Sequence, residues 1–147
     1  MNKLVEAFVP GIARTKGSLT PKRIQGRTPV LVDSELSIAW RRLVAYQARN
    51  ALPEGHVPSL APIMVSIVVT LPGLDWKDVL SQGSGDIDKI VRNVLDALAV
   101  DPKKPDLAAG VYVNDAQVVC VNATKQPDRA GTLRRGLHLI AWENVDA

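Results

Sequence analysis

The 147-residue chain holds one cysteine, Cys120, which excludes a disulfide within it. Cys120 falls inside the apolar run Val118–Val121, so it reads as a buried structural thiol and not as a nucleophile. The chain has two histidines, distant in sequence, and with a single thiol they do not make the ligand spacing of a zinc site. No glycine-rich phosphate loop of the P-loop type occurs. A Ser/His/Asp triad is open on composition alone, and nothing in the spacing points to one. No apolar run reaches the length of a membrane span. The short apolar start is broken at Pro10 and Gly11, which does not make a secretory signal. These absences point to an intracellular, cytoplasmic protein without a membrane partner. There is no internal repeat and no low-complexity segment, and the length suits a single domain over residues 1–147.

What is present is an uneven distribution of charge. The formal net charge is +3, with 46% hydrophobic and 22% charged residues. Residues 1–50 carry nine Lys/Arg against three Asp/Glu, whereas residues 51–147 carry nine against twelve. Pro10–Pro29 has no acidic residue at all and carries Arg14, Lys16, Lys22, Arg23 and Arg27 among three prolines and three glycines. It reads as a long basic loop, with room for a short hairpin. Such a loop can follow a phosphate backbone, each contact adding salt-sensitive affinity, or it can be solvated and bind nothing.

Periodicity supplies the elements. Lys3–Val9 reads as a first strand. Asp33–Leu52 reads as a helix capped by Asp33 or Ser34, with Leu36, Trp40, Leu43, Val44, Ala48 and Ala51 inward and Trp40 in the core. Ile63–Leu71 alternates strictly and is the clearest strand. Leu74–Gln82 suggests a helical turn, and Ala99–Gly110 a surface loop. Gln117–Thr124 and Leu133–Glu143 read as two final strands paired as a hairpin. His56 sits in a polar turn and has no catalytic role in this reading. The order implies an α+β two-layer sandwich, a mixed β-sheet with two main helices on one face.

The chain is organised around Gly83–Leu98. Ile87, Ile90, Val91, Val94, Leu95 and Leu98 form an apolar helical face, and Asp88, Arg92 and Asp96 lie opposite at steps of four. Asp86 and Asp88 stand at the helix start, where an aspartate can simply cap N–H groups and suit the macrodipole. The functional alternative uses Asp115, in Asn114-Asp115-Ala116-Gln117. The element order brings the start of the following strand beside the start of the helix, so Asp115 joins Asp86 and Asp88. Three converging carboxylates repel one another unless a hard divalent cation such as Mg²⁺ or Mn²⁺ binds.

Asp86-Ile87-Asp88, Arg92, Asp96-Ala97-Leu98, Asn114-Asp115-Ala116-Gln117-Val118 and Lys125 together resemble the RusA family of Holliday junction resolvases, found in bacteria, prophages and phages. The core of the resemblance spans about Gly83 to Lys125. It implies a homodimeric, Mg²⁺-dependent endodeoxyribonuclease, with Mn²⁺ able to substitute, that places paired symmetric nicks in four-way DNA junctions during recombination and repair. By this resemblance Asp86, Asp88 and Asp115 are the metal-binding acids, Arg92 stands where the family has a lysine, and Lys125 matches a basic residue that joins the loop cations on DNA. Lys89 replaces the asparagine that usually follows the second aspartate, and Asn114 replaces the first of two aspartates. Arg92 keeps the charge but cannot readily transfer a proton, so Lys89 is the second candidate for the catalytic cation. Alternatives are a broader flap and fork nuclease, a DNA-binding dimer with weakened catalysis, and an interaction protein whose acids are caps and surface charge.

Overall fold

The computed structural model describes residues 1–16, 20–22, 30–32, 35–81, 85–129 and 135–146. Strand β1 spans Asn2–Pro10, and the basic segment contributes β2, Thr20–Lys22, paired antiparallel with β3, Val30–Val32. Helix α1 spans Glu35–Ala51, β4 Ile63–Leu71, α2 Trp76–Ser81, α3 Ile87–Leu98, β5 Val118–Pro127 and β6 Gly136–Glu143. Short 3₁₀ turns lie at Pro105–Leu107 and Asp115–Gln117. The proposed caps Asp33 and Ser34 lie outside the described residues, as do Arg23, Arg27, Gly83 and Ser84.

The alternation of β4 becomes one buried face: Ile63, Val65, Ile67, Val69 and Leu71 are at most 2% exposed. Val5 and Val9 of β1 and Leu137, Leu139 and Ala141 of β6 bury their side chains in the same core. Against it pack Trp40, Val44, Ala45 and Ala48 of α1 and Ile90, Val94, Ala97 and Leu98 of α3. Removing these apolar surfaces from water is the main term holding the layers together. The result is an α+β fold with a mixed four-stranded sheet. Among the described residues no helix is long and apolar enough to cross a membrane.

Three expectations fail, each for a tertiary reason. The last two strands do not form a hairpin: the sheet order is β1-β6-β4-β5, with β6 antiparallel to both neighbours and β5 parallel to β4. Strand β6 takes the interior place between β1 and β4 and leaves β5 at the edge. Cys120 is therefore exposed, not buried. On α1, Leu36 is 61% exposed and Ala51 is exposed as well, while Ser37 turns inward. The Ser37 hydroxyl donates to the Thr15 carbonyl at 2.8 Å, and Asn93 Nδ2 of α3 donates to Ser37 Oγ at 3.3 Å. A polar bridge between two helices outweighs the exposure of one leucine.

Candidate functional site

Helix α3 begins at Asp86, its N-cap, in extended backbone. Gly85 precedes it at φ +75°, and a Cβ there would lie 2.8 Å from Thr15 Cγ2, so both the turn and the contact require glycine. Asp86 makes no side-chain cap hydrogen bond, although its residue type and position suit one. Its carboxylate is instead 68% exposed and stands 3.3 Å from Lys89 Nζ. Asp88 and Arg92 are exposed on the next turns of the same helix. Lys125, near the end of β5, donates from Nζ to the Gly85 carbonyl at 3.0 Å. Two acids and three cations thus gather at the mouth of a core-packed helix, on an element whose inner face is fixed by Ile90 and Val94.

The basic segment is anchored to this mouth. The Lys16 backbone N–H donates to the Lys89 carbonyl at 3.0 Å, and Lys16 Nζ pairs with Asp96 one helical face away. Asn93 Nδ2, on a buried residue, donates to the Arg14 carbonyl at 3.3 Å, while the Arg14 side chain is exposed. Lys22 lies on β2. Among the proposed DNA contacts, Arg14, Lys16 and Lys125 are therefore tied to α3 through backbone or side chain, and Arg23 and Arg27 lie outside the described residues.

Asp115 is at the other end. Because β5 runs parallel to β4, α3 runs back down over the sheet, and the start of β5 meets the end of the helix. Val111 N–H donates to the Leu98 carbonyl at 2.8 Å, and the Tyr112 hydroxyl donates to the Leu95 carbonyl at 2.8 Å. A cleft of about 190 Å³ at this foot is lined by Arg41, Asp96, Asp101, Asn114, Asp115 and neighbouring apolar residues. Burial pushes the Tyr112 phenol far up from its ordinary value, and the charges of Asp115 and Asp96 add to that. The eight residues from Asp88 to Asp96 correspond to about 12 Å of helix. The expectation that the start of β5 lies beside the start of α3 is thus reversed. Among the described residues no group of three or more His, Cys, Asp and Glu side chains is arranged to hold a metal ion.

The motif around Asp115 has a structural half that the sequence reading missed. The Asn114 side chain accepts from the Ala116 N–H at 2.8 Å, and Gln117 Oε1 accepts from the Asn114 N–H at 2.8 Å, a reciprocal cap. Gln117 Nε2 donates to the Ser59 and Ala61 carbonyls at 2.9 Å each, latching the turn to the loop before β4. Asp115 is left exposed on that latched turn. The polar residue three places after Asn114 was the signal for the cap. Arg41 and Asp101 also went unseen. Arg41 Nε donates to the Leu107 carbonyl at 3.0 Å, and its guanidinium lies 3.4 Å from Asp101. Burial works against ionisation of Asp101, but the Lys103 and Lys104 N–H groups and Arg41 outweigh it and hold its carboxyl below the ordinary value.

No protein-family model matches the chain, and no curated protein matches it.

Proposed function

We propose that the protein is a Mg²⁺-dependent, structure-selective endodeoxyribonuclease of the RusA type, acting on branched DNA and above all on four-way junctions. The observation that carries this reading is the N-cap carboxylate of Asp86, which is exposed, makes no cap bond and sits beside Asp88, Lys89 and Lys125. A cap that does not cap leaves its charge available to a ligand. The donor chemistry suits Mg²⁺, which commonly takes one or two carboxylates and keeps several waters. Asp86 and Asp88 would hold the ion, and when bound it would supply Lewis-acid charge and an activated water. Lys89 and Arg92 then serve as fixed positive charges toward a phosphate whose negative charge grows during cleavage. The basic segment, anchored through Lys16 and Arg14 beside α3, would position the DNA arms without reading their sequence.

The test compares a fixed four-way junction, a flap and a plain duplex at equal concentration with and without Mg²⁺. Metal-dependent paired nicks in the junction, lost in Asp86→Asn with junction binding retained, are expected. Equal cleavage by the Asp86→Asn protein would remove the assignment. A second reading, a DNA-binding dimer with weakened chemistry, draws on the lack of a three-carboxylate group among the described residues. It expects junction binding and no cleavage under any divalent ion.

A further inference from the structure

Asn93 is a polar residue on the buried side of α3, 2% exposed and on the same helix side as Ile90, Val94 and Ala97, where packing alone asks for an apolar side chain. Its amide reaches three acceptors, the Arg14 carbonyl, the Ser37 carbonyl and Ser37 Oγ, each at 3.3 Å. Hydrogen bonds of that length add little stability. What they do is fix positions, and they converge on the described start of the basic segment, residues 11–16.

Each residue of the run Arg14, Thr15, Lys16 is held at a different point. The Arg14 carbonyl accepts from Asn93, the Thr15 carbonyl accepts from Ser37 Oγ at 2.8 Å, and the Lys16 N–H donates to the Lys89 carbonyl at 3.0 Å. The Thr15 methyl lies against Gly85, where an added Cβ would stand 2.8 Å from it. Upstream, the Gly11 N–H donates to the Arg135 carbonyl at 3.0 Å, and Ala13 is buried. With the backbone held inward, the Arg14 side chain is left exposed. Lys16 is neutralised by Asp96, whereas Arg14 has no ion-pair partner among the described residues.

We propose that Asn93 and Ser37 are a positioning pair that sets Arg14 beside the mouth of α3 as a fixed grip on a DNA phosphate. This rests on the nuclease reading above and deepens it, naming a cation that holds the substrate near the acids and the buried groups that aim it. An arginine on a pinned backbone loses less freedom on binding than one on an unpinned chain, and its planar fork matches two phosphate oxygens. The pair acts through Arg14, so it raises affinity and leaves the chemical step alone.

A double-mutant cycle tests this, read as binding of a fixed four-way junction without divalent metal by wild type, Asn93→Ala, Arg14→Ala and the double variant. Each single variant should bind about tenfold more weakly, and the double variant no more weakly than Arg14→Ala alone. With Mg²⁺, Asn93→Ala should raise KM by about the same factor and leave kcat unchanged. Val44→Ala, a change in the α1 core, controls for lost stability and should bind as wild type does. Ser37→Ala takes the place of Asn93→Ala in the cycle if the latter does not fold. Additive losses, about a hundredfold in the double variant, or undiminished binding by the folded Asn93→Ala protein, overturn the proposal. A wild-type protein that binds the junction and cleaves nothing removes the nuclease reading alone, and the cycle still decides the positioning role. A wild-type protein that binds no junction overturns both.

Discussion

The two ends of α3 use the same kinds of residue in opposite ways. At the foot, Asn114 and Gln117 close a reciprocal cap, Gln117 holds two carbonyls of the loop before β4, and Arg41 ties the Leu107 carbonyl to Asp101. Polar groups there are engaged in holding loops to the helix layer. At the mouth, Asp86 occupies a capping position without capping, and Asp88 and Arg92 are exposed. The difference shows that residue type does not assign a role. An aspartate at a helix start is structural when its oxygens meet backbone N–H groups, and available for ligand chemistry when they do not.

Four substitutions or conditions would sharpen or break that contrast. Ile90, fully buried beneath the mouth, should cost about 2–5 kcal/mol of unfolding free energy when replaced by alanine, read in urea, because the cavity removes the support of the helix start. A loss below 0.5 kcal/mol would mean the mouth is not held rigidly. Asp86→Asn should reduce junction cleavage by about 100-fold or more while changing stability by less than about 0.5 kcal/mol, since its carboxylate makes no cap bond and meets Lys89 in an exposed ion pair of little worth. A large destabilisation with little kinetic effect would reverse the comparison between the two ends. Gln117→Ala at the foot should do the opposite to Asp86→Asn, costing about 1–2 kcal/mol of stability through the lost cap and two unpaired carbonyls. Alkaline titration gives a signal that is absent at neutral pH. The folded Tyr112 phenol ionises above its ordinary value of 10.0, so the unfolded chain loses that proton first. Stability is then complete below pH about 10 and falls as pH rises beyond it, by roughly 1.4 kcal/mol per pH unit, and Tyr112→Phe should flatten that slope.

Much of this was legible in advance, and the unread parts share a cause. The strict alternation of Ile63–Leu71 and the 3.6-residue recurrence of Ile90, Val94 and Leu98 are local patterns, and both elements form where periodicity places them. Gly85, just before Asp86, takes a positive φ, a local conformation that glycine adopts readily. The place of β6 between β1 and β4 was not readable, because strand partners are chosen by competition among non-local pairings. That one choice exposed Cys120. The parallel pairing of β5 with β4 sent Asp115 to the foot of α3. Asn93 was hidden for a related reason: a polar residue inside an apolar helical face shows its purpose only when Ser37 and the Arg14 carbonyl are seen across from it.

The amino-acid sequence alone determined where the main helices and strands fall, which faces are apolar, and which acids and cations α3 itself carries near its start. Those follow from periodicity, turn chemistry and charge carried within a few residues. Tertiary structure decided which strand lies at the edge, which end of α3 each acid meets, and whether a capping residue caps. Each of these depends on groups brought together from distant parts of the chain, where pairing and burial select one arrangement among several that local preference allows.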